Sequence, residues 1–485
     1  MSVPARPQND SATPRRAGVP TGAARAASRV WAQQAWLPGG WQTDVLLEAG
    51  ADGRWAGITA GVPIAPADAT VVAGPLLPGL VDAHGHAFQR AFAGLAERRD
   101  AAADDFWSWR DRMYRVALRI RPPDLRAIAA QLYVELLRGG YTQVCEFHYL
   151  QHDCDGRSYD DPLALSWALA DAAQDAGIGL TLLPVLYERA GFAQPALRDD
   201  QRRFRMDAAA VWSARQRLAA AGRPLLDAGV AVHSLRAATP ASITALRRLA
   251  DGWDGPIHIH VAEQTAEVDD CLAATGARPI EWLARERLLD ARWQLVHATH
   301  ATRSEIDAVA ASSAGVVICP STEANLGDGL ADLTGWLDAR VPLTIGSDSH
   351  VTRDWREELR WLDYGQRLHL RRRNVAAAPQ AGVPATAQRL FDAVVVGGAA
   401  AAGVPRWGLV PGARADALVV DGGDTALLGI PEQQRLDALV FSSPVRPFRD
   451  VLVAGRWVVR GNAHAGELDI AQRFSAAMGA LWTDD

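Results

Sequence analysis

Short apolar runs alternate with longer stretches of helical periodicity through the middle of the chain. The runs cover residues 80–84, 142–147, 180–186, 230–233, 257–261, 294–297, 316–319 and 343–348. Each is an almost unbroken apolar block of strand length, the pattern of a strand buried on both faces in a parallel sheet. Between them apolar positions return every three or four residues, as over 123–137 and 162–176. The second stretch predicts a helix entered by Asp161 as N-cap, with proline at the first helical position, and left near Gly177. Eight strand–helix units in series predict a (β/α)8 barrel over residues 76–404.

The two ends of the chain read differently. Residues 29–75 break into VWAQQAW, DVLLEA, RWAGITA and TVVAG, separated by Gly, Pro and Asp turns. The same texture returns in DALVVD (416–421) and in DVLVAGRWVVRG (450–461), a hairpin turning at Ala454-Gly455. These segments predict one small β-sandwich domain built from 29–75 and 405–465, followed by a C-terminal helix over 466–485. Residues 1–28, rich in Ala, Arg, Pro and Ser and without apolar periodicity, predict a disordered extension.

Composition narrows the function. Of 485 residues 49% are hydrophobic and 22% charged, ordinary values for a globular protein. A net charge of -6 gives no pull toward nucleic acid or an anionic membrane, and no apolar run reaches membrane-spanning length. The expected partner is a small molecule, and the expected assembly a homodimer. Four scattered cysteines, Cys145, Cys154, Cys271 and Cys319, predict a reducing, cytoplasmic setting. The chain contains no lysine: all 50 basic residues are arginine. Schiff-base chemistry, a P-loop and a carbamylated lysine bridging two metals are therefore excluded.

In a (β/α)8 barrel the active site lies at the C-terminal strand ends. Polar residues recur there in this sequence: His84 and His86 after run one, Tyr149 after run two, His233 and Arg236 after run four. His260 and Glu263 follow in run five, His297 in run six and Asp348 in run eight. In GLVDAHGHAFQR the two histidines are one residue apart, so both rings face the same way. With His260 and Asp348 they supply three imidazoles and a carboxylate, a donor set for a catalytic metal. In PIHIHVAEQ, His258 shares a face with His260 but lies one layer lower, and Glu263 falls beyond the strand end as a proton-handling group. Cys145, His148, His152 and Cys154 have no common zinc-site spacing and are not expected to bind metal.

PGLVDAHGH, HVAE, LVHATH, GSDSH and GLVPGARADALVVD resemble the amidohydrolase superfamily over nearly the whole chain after residue 29. Without lysine, the chain is similar to the mononuclear aminohydrolase branch. HAFQRAFAGLAER, DDFWSWRDRMY, CEFHYL, VAVHSLRA and CPSTEANLGDG further resemble the formimidoylglutamate deiminases of histidine degradation. That resemblance implies one Zn²⁺ held by His84, His86, His260 and Asp348, with Glu263, His297 and Asp348 catalytic. It implies Gln89, Arg110, Tyr149, His233 and Arg236 as substrate contacts, and hydrolysis of N-formimino-L-glutamate to N-formyl-L-glutamate and ammonia. Ligand type alone suits Fe²⁺ as well as Zn²⁺. Two guanidiniums suit a dianionic amidine. The alternative is a deaminase of the same architecture acting on a nucleobase, nucleoside or guanidino compound. Trp107 and Trp109, flanking Arg110's segment, are expected to pack a loop onto the barrel.

Overall fold

In the computed structural model, which describes residues 28–99 and 106–483, eight parallel strands form the centre of the molecule. They are β1 (Leu80–Gly85), β2 (Tyr141–His148), β3 (Gly179–Leu186), β4 (Val230–Val232), β5 (Ile257–Val261), β6 (Trp293–His297), β7 (Gly315–Ile318) and β8 (Leu343–Ile345). Every residue in them is buried, which is why the sequence shows apolar blocks instead of alternation. Each strand pairs in parallel with the next. The connection from β1 to β2 carries α1 (Phe106–Ala117) and α2 (Pro122–Arg138).

The helix predicted from Pro162 starts later. It runs Ala164–Ala176 with Leu163 as N-cap. Asp161, the expected cap, instead accepts the N–H of Leu163 at 3.0 Å and the indole N–H of Trp167 at 2.9 Å, so it organises the turn ahead of the helix.

The ring of strands closes at a narrow seam between β8 and β1. The ladder there is reduced to one bridge between Gly85 and Asp348. The Asp348 N–H donates to the His84 carbonyl at 2.9 Å, and the His86 N–H donates to the Asp348 carbonyl at 3.2 Å. Asp82, fully buried, accepts the backbone N–H of Ser347 at 2.8 Å and its hydroxyl at 2.6 Å. A Cβ on Gly346 would stand 2.7 Å from both Cβ and O of His84, so only glycine admits this approach. Outside the seam lies the helix Thr386–Ala402. A Cβ on Gly397 would collide with the Leu343 carbonyl, and one on Gly398 would meet Val81 at 2.9 Å. This Gly-Gly pair lets one helix cover both strands.

The chain ends combine in a single nine-stranded sheet. Leu76–Leu77 is the junction, parallel to Ser28–Leu37 on one side and antiparallel to Ala417–Val420 on the other. Val30, Leu47, Trp55, Leu76, Val419 and Leu452 belong to a core separate from that of the barrel. The expected sandwich is thus made from one continuous sheet. Its hairpin turns at Ala454 and Gly455, both left-handed, as the sequence indicates. Arg414 joins this domain to the barrel, donating to Gln143 Oε1 at 2.6 Å and to the Thr142 carbonyl at 2.8 Å. The C-terminal helix, Glu467–Leu481, packs on α2. No helix among the described residues is long and apolar enough to cross a membrane. The extension expected over 1–28 lies, but for Ser28, outside the described residues.

The seam sets a stability prediction. Gly346→Ala overpacks backbone against backbone and should lower unfolding stability by about 1–3 kcal/mol. Gly479→Ala, in the C-terminal helix with nothing within 4 Å of the new methyl, should be neutral or gain up to about 1 kcal/mol. Urea midpoints of the two variants test this, and an unchanged midpoint for Gly346→Ala would contradict it.

Candidate active site

Four of the strand-end residues converge on one point. His84 Nε2 lies 2.9 Å from His260 Nε2 and 3.4 Å from Asp348 Oδ1, which is itself 3.3 Å from His86 Nε2. The far nitrogens explain the convergence. His86 Nδ1 donates to the Phe147 carbonyl at 2.9 Å, and His260 Nδ1 donates to the His233 carbonyl at 3.0 Å. Each of these rings therefore turns its Nε2 toward the others and toward a carboxylate. Donor atoms brought this close suit a shared cation. Burial, above all, drives His84 down to about 3 and His260 well below the ordinary imidazole value, keeping both rings neutral as ligation demands. Burial opposes ionisation of Asp348, but hydrogen bonding to His84 and His86 overcomes it and holds the carboxyl well below its usual range. Two overlapping triads, one of His84, His86 and Asp348 and one of His84, His260 and His297, bring donor atoms within 4.8 Å of one another and could hold a divalent ion.

Beside this cluster stands a second set of ionisable side chains. His297 Nε2 is 3.8 Å from Glu263 Oε1 and 3.8 Å from Asp348 Oδ2. Its Nδ1 faces Glu323 Oε1 at 3.3 Å, and the same oxygen accepts the N–H of Cys319 at 3.0 Å. Burial would lower His297, but the charge of Glu263, the hydrogen bond to Glu323 and the charge of Asp348 push it up to about 10. Backbone geometry aims these side chains. Ala262, His297, Ala298, Asp348 and His350 all have left-handed φ values, between 48° and 68°. Non-glycine residues enter that region at a cost and do so where function requires it. Glu267 supports one such turn by accepting the N–H groups of Ala262 and Glu263 at 3.3 and 3.2 Å.

A cavity of about 60 Å³ opens above the cluster, lined by all the other sequence-derived site residues, while His84 is fully buried. Gln89 donates to the Tyr149 hydroxyl at 3.3 Å, and the Tyr149 ring sits 5.1 Å from His86 and 5.5 Å from His233. Arg236, from the turn after β4, and Arg110, on α1, both stack against Trp107, at 5.6 and 4.5 Å from its ring. Neither guanidinium Nε has a hydrogen-bond partner among the described residues. Arg236 reaches Glu263 only at 3.9 Å. Trp107 thus carries the two arginines, while Trp109 packs on Phe92 at 5.9 Å, as expected for an aromatic anchor.

The structure also separates decoys from members. His258 points to the opposite end of the barrel and donates to the Ala401 carbonyl at 2.8 Å. Cys145 contacts that same carbonyl, and His152 faces the Arg205 carbonyl at 2.8 Å. Among the described residues no metal-binding cluster includes Cys145, His148, His152 or Cys154. Several residues near the site gave no sequence signal. Glu323 reads as an ordinary acidic first-turn residue of the helix Pro320–Leu326. Tyr114 and Tyr187, hydroxyls 3.3 Å apart and both within reach of Gln201 Nε2, tie α1 to the end of β3. Their pairing joins elements 73 residues apart and has no local pattern.

Comparison with known proteins agrees with this geometry. The amidohydrolase family model matches residues 76–458, and the model "Formimidoylglutamate deiminase HutF, N-terminal domain" matches 27–70. A formimidoylglutamate deiminase of Pseudomonas aeruginosa is 48% identical over 94% of this chain and 99% of its own length. A 5-methylthioadenosine/S-adenosylhomocysteine deaminase of Natronomonas pharaonis is 27% identical over 79% of this chain and 81% of its own. An amidohydrolase from Brucella melitensis superposes with a TM-score of 0.88 at 41% identity, over 94% of this chain and 99% of that one. An adenosine deaminase from Xanthomonas campestris with bound zinc shares the fold, at a TM-score of 0.76 and 22% identity over 94% and 98% of the two chains. The chain belongs to the amidohydrolase family and, within it, to the formimidoylglutamate deiminases.

Proposed function

We propose that this protein hydrolyses N-formimino-L-glutamate to N-formyl-L-glutamate and ammonia, a step of histidine degradation. The observation that carries the reading is the pair Arg110, partly buried, and Arg236, buried, whose Nε atoms lack a hydrogen-bond partner among the described residues and which line the cavity that meets the His84, His86, His260 and Asp348 cluster. A substrate with two carboxylates and a formamidine matches that polarity, and the 48% identical Pseudomonas aeruginosa relative bears the corresponding name. A neutral nucleobase would leave the two cations only their distant carboxylates, Asp111 at 3.8 Å from Arg110 and Glu263 at 3.9 Å from Arg236, so the cavity favours the dianionic substrate over the alternative deaminase reading.

A single zinc ion is the proposed cofactor, supported by the His₃Asp donor set and by the zinc in the Xanthomonas campestris adenosine deaminase. When bound, the metal supplies Lewis-acid activation of a water molecule. Asp348 accepts a proton from the attacking water, and His297, oriented through Nδ1 by Glu323, positions that water with Nε2. Glu263 delivers a proton to the departing nitrogen of the formimino group. Water oxygen bonds to the formimino carbon, the carbon–nitrogen bond breaks, and ammonia leaves. Arg110 and Arg236 hold the carboxylates, while Gln89, Tyr149 and His233 wall the reacting end. Four unpaired cysteines fit a cytoplasmic setting.

Ammonia release from N-formimino-L-glutamate should be fast for the native protein, vanish after chelation and return with zinc. Absence of release from zinc-replete protein would refute the substrate. Glu263→Gln should lower kcat by about 10²–10⁴-fold with metal content unchanged by elemental analysis. Arg110→Met and Arg236→Met should each cost about 1.5–3 kcal/mol, roughly 10- to 100-fold in kcat/KM. That loss should shrink when the substrate lacks one carboxylate, and equal losses on both substrates would remove the proposed pairing.

A further inference from the structure

The cluster contains a group that the proposed reaction does not use. Cys319, at the end of β7, is fully buried, and its Sγ lies within 4.8 Å of donor atoms of His297 and Asp348. We propose that His297, Cys319 and Asp348, with Glu263 alongside, form a second cation site that takes a thiophilic divalent ion and shuts the enzyme down. The proposal rests on reading His84, His86, His260 and Asp348 as the primary metal site.

The two oxygens of Asp348 divide between the sites. Oδ1 faces His84 and His86, at 3.4 and 3.3 Å, while Oδ2 faces His297 Nε2 at 3.8 Å. One carboxylate can therefore bridge two ions through separate oxygens. Glu323 occupies Nδ1 of His297 and leaves Nε2 as the available donor. Glu263 Oε1 lies 3.8 Å from the same Nε2. The second site thus has one nitrogen, one sulfur and one carboxylate oxygen in mutual reach, with Glu263 beside the nitrogen, donors suited to Zn²⁺ or to its softer analogue Cd²⁺.

Charge and access favour the same conclusion. Glu263, Glu323 and Asp348 gather three carboxylates around one imidazole, an anionic setting that attracts cations. Glu263, His297 and Asp348 line the open cavity, so an ion entering from solvent meets them before it reaches the buried thiol. The sulfur separates the two sites chemically, because the primary donors are nitrogen and oxygen only. An ion in the second site would engage Glu263 and His297 and share Asp348, the groups assigned to proton transfer and water positioning. Turnover would stop while the primary ion stayed in place.

The test is a Cd²⁺ titration of the full chain carrying one equivalent of zinc, followed by equilibrium dialysis, ultraviolet thiolate-to-cadmium absorption and residual ammonia release. The native protein should bind one further equivalent, develop the thiolate band and lose activity in step with it. Cys319→Ser and Cys319→Ala, both carrying the first equivalent, should lose the band. Removing a single outer-shell partner already costs about 10- to 100-fold in metal affinity, so loss of a ligand should raise the inhibitory Cd²⁺ concentration at least about 100-fold. Retention of the band in both variants, or inhibition at the native concentration, would overturn the proposal, since Cys145, Cys154 or Cys271 would then be the binding thiol. Absorption and stoichiometry need no substrate, so they decide the second site even if the proposed substrate is wrong. Failure of the first equivalent to bind would instead remove the primary site and this proposal with it.

Discussion

The chemistry of this molecule depends on how closely the first and last barrel strands approach. His84 and His86 stand on β1 and its exit, while Asp348 follows β8, and a single bridge with two backbone hydrogen bonds sets their separation. Small residues make that approach possible from inside and outside alike. Gly346 admits the His84 backbone, and Gly397 and Gly398 bring a covering helix onto both strands. Asp82 then fixes the seam from below with two bonds to Ser347, whose hydroxyl also meets His350 Nδ1 at 2.9 Å. A shift of one strand relative to the other would separate the carboxylate from the imidazoles before it disturbed any other part of the barrel.

Holding so many ionisable groups away from water requires that each have a counterpart. Asp348 has the imidazoles, and His297 has three carboxylates. Burial works against the charge on Arg236, yet Glu267 and Glu263 keep it charged. Its stacking on Trp107, shared with Arg110, stabilises a desolvated guanidinium by about 0.5–2 kcal/mol without consuming a hydrogen-bond donor. The face of an indole is thus a suitable support for a cation whose N–H groups must remain available to a ligand.

Much of this was legible in the chain because strand burial and strand-end chemistry are both local signals. The eight apolar blocks, the H-x-H spacing and the choice of His260 over His258 follow from a two-residue period and the position of the rim. The hairpin at Ala454-Gly455 is equally local. Asp161 shows the limit: a side chain that can cap a helix can also organise the preceding turn, and the sequence does not rank the two. The continuous nine-stranded sheet was hidden for another reason, since its central junction, Leu76–Leu77, is only two residues long. Glu323, Tyr187 and Cys319 act through partners far away in sequence, and each alone resembles a cap, a packed ring or a core thiol.

The site divides according to what supports its residues. His84, His86, His260, Glu263, His297 and Asp348 sit at the ends of β1, β5, β6 and β8 or in the tight turns after them, where hydrogen-bonded strands allow little displacement. The arginines stand farther out, on α1 and on the turn after β4. Helix α1 joins no strand ladder and reaches the barrel through side chains, including the Tyr114–Tyr187–Gln201 contacts and the packing of Trp109 on Phe92. The histidine and carboxylate cluster is therefore fixed by backbone pairing, whereas the two arginines are placed by side-chain packing. Changes on α1 can alter what the cavity accepts without moving the ligand cluster, because no backbone ladder transmits them to the seam.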